Sequence, residues 1–163
     1  MFPLAASLQR GVQMSSIRNL VAVVAVILLL AACAGDKPAV EVWKSASCGC
    51  CMDWVRHLEA NGFEVRVNDV EEPALYRNKL GIPANLGSCH TARVGGYALE
   101  GHVPAREIQR LLQERPDAVG LAVPAMPVGS PGMDGPEYGS RKDPYDVLLV
   151  TRGSEPRIFQ SYR

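Results

Sequence analysis

Three thiols fall within four residues in Ser47-Cys48-Gly49-Cys50-Cys51. No other stretch narrows the possible folds and chemistries of this chain so far. It follows a strand-like run, Ala39 to Lys44, and opens a helix-like run, Cys51 to Asn61. Thiolate is the form of cysteine that binds metal and attacks disulfides. A helix start holds it well, because free N–H groups and the positive end of the dipole favour a negative sulfur. Two motifs overlap here. Cys48 and Cys51 form a C-x-x-C pair, the spacing of a thioredoxin-like redox site. Cys48 and Cys50 form a C-x-C pair, a clasp for a soft metal.

Alternation and helical spacing order the rest. Val40, Val42 and Lys44 alternate with Glu41, Trp43 and Ser45, which predicts a first strand. Trp54, Val55, Leu58 and Phe63 have helical spacing, and Asn61-Gly62 ends that helix. Glu64 to Val70 alternates again, so a parallel crossover is expected. Pro73 opens a short second helix, Ala74 to Leu80. Cys89 to Val94 reads as a third strand, Gly95-Gly96 as a hairpin turn and Tyr97 to Gly101 as a fourth strand. A last helix starts at Val103-Pro104, with Ile108, Leu111 and Leu112 as its apolar stripe. Gly120 to Pro144 is rich in Gly and Pro and has no period, which suggests a shaped functional loop. Asp146 to Thr151 and Arg157 to Gln160 close the chain as a hairpin. The expected class is α/β, thioredoxin-like (β-α-β-α-β-β-α), with a C-terminal Pro/Gly/Met loop and a closing β-hairpin. In that fold the dithiol sits where strand one meets helix one, and the cysteine cluster falls there.

The amino-terminal part differs in kind. Leu20 to Leu30 is an unbroken apolar run, preceded by Arg10 and Arg18, with no acidic residue before Asp36. Its length is that of a signal-peptide core rather than a bilayer span. Leu30-Ala31-Ala32-Cys33 resembles the lipobox of bacterial lipoproteins, and Met14 to Cys33 is already a complete signal of that kind. The expectation is a lipoprotein signal over residues 1–33 with lipidated Cys33, a tether over 34–38 and one thioredoxin-like metal-binding domain over 39–163. Ala34 after the cysteine implies the periplasmic side of the outer membrane, reached through the lipid anchor. Lys plus Arg and Asp plus Glu each number 17, so no basic field points to nucleic acid. No apolar stripe marks a protein partner.

Removing Cys33 leaves Cys48, Cys50, Cys51 and Cys89. An exported protein meets oxidising conditions, where two structural bridges are the ordinary use of four cysteines. Three crowded into one tetrapeptide would staple little. In a thioredoxin fold the third strand begins opposite the dithiol, so Cys89 is placed to supply a fourth sulfur. Four thiolates select Cu(I) or zinc. Neighbouring Cys50 and Cys51 reach one tetrahedral zinc ion awkwardly, whereas thiolates bridge several Cu(I) ions, so copper, even a multinuclear cluster, ranks above zinc. Met126 and Met133 are further soft donors, though anchoring the loop in the core ranks slightly ahead for each. His90, next to Cys89 in a strand, is expected on the opposite face, as an outer partner of the site or a core histidine. His57 lies two turns from Cys50, roughly 10 Å along the helix, too far to share an ion. His102, at the mouth of the last helix, could approach the site, though a capping or surface role ranks ahead of that, and Trp54 reads as a wall of the core.

Several runs carry a family likeness: Cys48-Gly49-Cys50-Cys51 with Trp54, His57-Leu58 and Gly62-Phe63; Ser88-Cys89-His90-Thr91; Glu100-Gly101-His102-Val103-Pro104; Met126 to Met133; and Asp143-Pro144-Tyr145-Asp146-Val147. Over residues 40 to 163 the chain resembles the CopG-type copper-resistance family of bacterial periplasmic proteins. The resemblance implies a thioredoxin-like fold, copper held by Cys48, Cys50, Cys51 and Cys89, and copper resistance through interconversion of Cu(I) and Cu(II), a copper oxidoreductase activity. The alternative is a thiol–disulfide oxidoreductase using Cys48 and Cys51, and a structural zinc module is third.

Overall fold

Alternation makes the first strand. In β1 (Ala39–Lys44), Val40, Val42 and Lys44 turn inward, as their spacing predicts. The structure, a computed structural model, describes residues 37–163. The signal, Cys33 and residues 34–36 of the tether lie outside the described residues.

The order after β1 is α1 (Gly49–Ala60), β2 (Glu64–Asp69), α2 (Pro73–Lys79), β3 (His90–Val94), β4 (Tyr97–Glu100), α3 (Ala105–Glu114), β5 (Gly120–Ala122), β6 (Tyr145–Val150) and β7 (Arg157–Tyr162). All seven strands form one sheet in the order β2-β1-β3-β4-β5-β6-β7. Its first half is the expected thioredoxin-like arrangement: β1 and β2 run parallel across the α1 crossover, β3 runs antiparallel to β1, and β4 runs antiparallel to β3. Alternation along β4 divides the core between two faces of the sheet. Leu99 joins the larger cluster with Trp54, Val55, Leu58, Ile108 and Leu111. Its neighbour Ala98 joins Ile82, Leu86, Val119, Ala122 and Val150.

Four departures from the expected boundaries bear on the site or the sheet. Helix α1 starts at Gly49, two residues early, so Cys48 becomes its cap and Cys50 and Cys51 lie in its first turn. Helix α3 starts at Ala105, with Pro104 as its cap. Strand β3 starts at His90, which leaves Cys89 just outside it. The stretch expected to be aperiodic from Gly120 contains β5, which pairs parallel with β4 and antiparallel with β6. Three residues are too few to show a period of two. Gly120 is there because a side chain at that position would run into the backbone of Ala98.

Candidate metal and redox site

Backbone geometry sets the first half of the site. The Cys48 N–H donates to the Ser45 carbonyl at 3.0 Å, and the chain then turns into α1. Consecutive residues of a helix's first turn point to different sides, yet three sulfurs still converge, because Cys48 approaches from the cap. Cys48 and Cys51 are joined in a disulfide. Among the described residues Cys50 and Cys89 are unbridged. Of the two bridges that oxidising conditions made the ordinary expectation, one is present, at the C-x-x-C spacing. Cys50 Sγ lies 3.7 Å from Cys48 Sγ, and Cys51 Sγ lies 3.9 Å from the Cys89 carbonyl oxygen.

The second half comes from β3 and the turn after β4. The Sγ atoms of Cys48, Cys50, Cys51 and Cys89 all lie within 4.8 Å of one another. The same limit encloses the ligating atoms of Cys89, His90 and His102, so Cys89 belongs to both groups. Cys89 Sγ is 3.1 Å from His102 Nε2 and 3.3 Å from His90 Nδ1. Two histidine expectations are thereby corrected. His90 does not face away from Cys89, because Cys89 precedes the strand and alternation does not reach it. His102 is neither a cap nor a surface residue: it is fully buried.

The ring of His102 is oriented from behind. Its Nδ1 donates to the Pro131 carbonyl at 2.7 Å, since a carbonyl can only accept. Nε2 therefore carries the lone pair, and it points at the Cys89 sulfur. Burial holds His102 below the usual imidazole range. Burial holds His90 well below it, with the neighbouring His102 pushing the same way. Both rings are thus neutral near pH 7, the form that ligates. Among the described residues the Nε2 of His90 is buried without a hydrogen-bond partner, an orphaned polar atom of the kind a bound ion accounts for.

The Met loop closes the site from above. Gly132 has φ of +84°, and a Cβ there would sit 2.6 Å from the Cys50 carbonyl oxygen and 2.7 Å from the Trp54 nitrogen. The loop thus runs directly over the first turns of α1. Gly129 N–H donates to the Met133 carbonyl and Met133 N–H to the Ser130 carbonyl, at 2.7 and 2.8 Å. The two methionines part company here. Met133 is buried and its sulfur accepts from the Tyr138 hydroxyl at 3.5 Å. Met126 is 46 % exposed, so it does not anchor the loop in the core. Trp54 is a core wall as expected, fully buried, with its indole N–H donating to the Val103 carbonyl at 2.8 Å. His57 is occupied away from the sulfurs: its Nε2 accepts from the Ala105 N–H at 3.1 Å.

Sequence reasoning missed Glu100 and Pro131. An acid in a short strand ordinarily reads as solvent-facing, and a backbone carbonyl leaves no mark in the sequence. Both stood within family-like runs, Glu100 in Glu100 to Pro104 and Pro131 in Met126 to Met133, which was the available signal.

Burial pushes the Cys89 thiol up to about 12, with the Cys50 thiol beside it adding to the rise. Burial, then the hydrogen bond to Glu107, also pushes Tyr162 up to about 12, and burial raises Tyr145. For each group the folded value exceeds the unfolded one. The stability they contribute is complete below the ordinary thiol value of 9.0 and is lost as pH rises toward 12. The urea midpoint of the metal-free protein is therefore expected to fall between about pH 9 and pH 11 while changing little between about pH 7 and pH 8. A midpoint flat up to pH 11 would contradict this burial of Cys89.

The chain is also similar to known proteins. A family model described as "Protein of unknown function, DUF411" matches residues 86–133, the stretch from just before Cys89 through the Met loop. No curated protein matches the chain. Two solved structures do. One, titled "Copper resistance protein copG- Form 2", is 46% identical, covers 78% of this chain and 99% of its own, and superposes with a TM-score of 0.72. The other, "Copper resistance protein copG- Form 1", is 46% identical over 77% of this chain and 98% of its own, with a TM-score of 0.71. With identity at that level over nearly the whole of both solved chains, the chain belongs to the CopG copper-resistance family.

Proposed function

We propose that this protein is a copper-binding protein of the cell envelope that holds Cu(I) through Cys48, Cys50, Cys51 and Cys89 and contributes to copper resistance. The observation that carries the reading is the gathering of four sulfur atoms within 4.8 Å, three from a helix start and one from a residue 38 positions further on. Soft thiolates prefer Cu(I), and their crowding suits bridged copper better than a single tetrahedral zinc. The envelope location rests on the amino-terminal signal and the lipobox-like Cys33. Anaerobic titration of the reduced domain with Cu(I) against a chromogenic competitor tests the reading. At least about one tightly held copper per chain is expected, and a chain that loses every competition would sink it.

The Cys48–Cys51 bridge favours a redox element in that function. Bridged, the site offers the Cys50 and Cys89 thiols beside two neutral imidazoles. Reduced, it offers four thiols. The mixed sulfur–nitrogen set accommodates Cu(II) better than the all-sulfur set does. In the step we assign, two Cu(II) ions each accept one electron, the Cys48 and Cys51 thiols join in a disulfide, and two protons leave. Reduced, metal-free protein given Cu(II) without oxygen is expected to yield about two Cu(I) per chain in a first phase, since a disulfide couple carries two electrons. Alkylation and peptide mapping after copper removal should then find Cys50 and Cys89 still free. Loss of Cys89 reactivity in that phase would show that electrons leave from the wrong pair. The alternative, thiol–disulfide exchange with proteins through Cys48 and Cys51, is favoured by the same bridge. Robust metal-free reduction of insulin would promote it over copper chemistry.

A further inference from the structure

Glu100 is a fully buried carboxylate, and its hydrogen bonds straddle two residues. Its Oε1 accepts from the Ser88 backbone N–H at 2.7 Å, and its Oε2 accepts from the Thr91 hydroxyl at 2.6 Å. Cys89 and His90 lie between those two anchors. A buried carboxylate without a counter-charge is costly, and Arg77 from α2 supplies one, with Nη1 at 3.5 Å from Oε1. The guanidinium reaches it by passing over Gly87, where a Cβ would sit 2.5 Å from Nη1. The next two residues of the chain continue the same frame. Gly101 N–H donates to the His90 carbonyl at 3.0 Å. Gly101 carries no side chain, and a Cβ there would sit 2.7 Å from the Ser88 side chain. His102 then meets the Cys89 sulfur. The Ser88 hydroxyl also donates to the Ala125 carbonyl, in a residue whose φ is +61°.

An acid this deep is a poor choice for stability alone, because a well-packed apolar group often does as well or better. What its two oxygens do is fix the chain on either side of the sulfur that joins the two donor groups. We propose that Glu100 is the positioning residue of the site: its carboxylate clamps the Ser88–Thr91 segment so that Cys89 Sγ meets both the helix thiols and His102. This rests on the copper reading above in what the position is for, but not in the clamp itself.

Three variants test it, each compared in the metal-free, Cys48–Cys51-bridged form and then reduced with Cu(I). Glu100→Ala removes both anchors. Thr91→Val removes one without changing shape. Glu100→Gln keeps an acceptor for Ser88 and offers an amide N–H to the Thr91 oxygen. In the bridged form, iodoacetamide labels the two free thiols, and trypsin separates Cys50 from Cys89. Glu100→Ala is expected to speed Cys89 labelling about tenfold relative to Cys50, with Thr91→Val shifting the same way by less and Glu100→Gln staying near the parent protein. Cu(I) affinity should fall about ten- to a hundredfold in Glu100→Ala, the usual effect of losing a group that orients a ligand. If Glu100→Ala does not fold, Thr91→Val decides. A folded Thr91→Val or Glu100→Ala within about twofold of the parent on the labelling ratio overturns the proposal. So does a Glu100→Gln as impaired as Glu100→Ala, which would mean that charge matters rather than the frame. If the parent protein takes no Cu(I), the copper reading fails, and the labelling ratio still decides the clamp.

Discussion

Replacing Cys89 with serine is expected to lower Cu(I) affinity by at least about a hundredfold, more than the ten- to hundredfold typical of losing an outer partner. Cys89 is shared by the four-sulfur group and by the Cys-His-His group, so removing its sulfur unlinks them. A hydroxyl is a hard, weakly acidic donor and does not replace a thiolate for a soft ion. The change is otherwise small. A serine hydroxyl can still donate to the His102 Nε2 that now stands 3.1 Å from the sulfur, so the ring keeps its partner and the fold its stability. The variant thus isolates ligand chemistry from structure. Competition with a chromogenic Cu(I) chelator, without oxygen and with all thiols reduced, gives the number. An affinity within about threefold of the parent would mean that Cys48, Cys50 and Cys51 hold copper without help from β3.

That Cys89 would meet the other three was legible, because topology alone put the start of the third strand opposite the helix carrying the thiols. The strand and helix pattern was legible for the same kind of reason. Val40 and Val42 alternate, Trp54, Val55 and Leu58 share a helix face, and each is buried as that spacing requires. What failed was any inference needing the exact residue at which an element begins. One residue separates a strand starting at Cys89 from one starting at His90, and that residue decides whether His90 turns toward the sulfur or away. His102 could be placed near the site but was ranked first as a cap or surface residue, because its neighbours in space, Cys89 and Pro131, are 13 and 29 positions away in sequence. Glu100 and Glu107 were hidden by their type. A buried acid is declared only by its partners, here Ser88 and Thr91 for the one and Tyr162 for the other.

The other large effect falls on stability. Trp54→Ala is expected to cost about 3–5 kcal/mol, the range for emptying a core position of a large aromatic. Trp54 ties three parts of the site at once. Its ring lies 4.3 Å from the His90 ring, centroid to centroid. Its N–H satisfies the carbonyl of Val103 just ahead of α3, and its backbone packs against Gly132 of the Met loop. Alanine would leave a void beside His90 and a buried carbonyl without a donor, which adds about 1–3 kcal/mol of desolvation if no water enters. Trp54→Phe separates the two losses. It keeps most of the wall and gives up the N–H with part of the indole, so about 1–3 kcal/mol is expected. For a domain of this size a loss of 4 kcal/mol lowers the melting temperature by about 15 °C. Melting must be compared with the Cys48–Cys51 bridge in the same state, because a closed bridge also restricts the unfolded chain. If Trp54→Ala melts within about 3 °C of the parent, the indole is not the wall that seats His90. The two neutral rings beside Cys89 would then have to be held by the Pro131 carbonyl and the Glu100 frame alone.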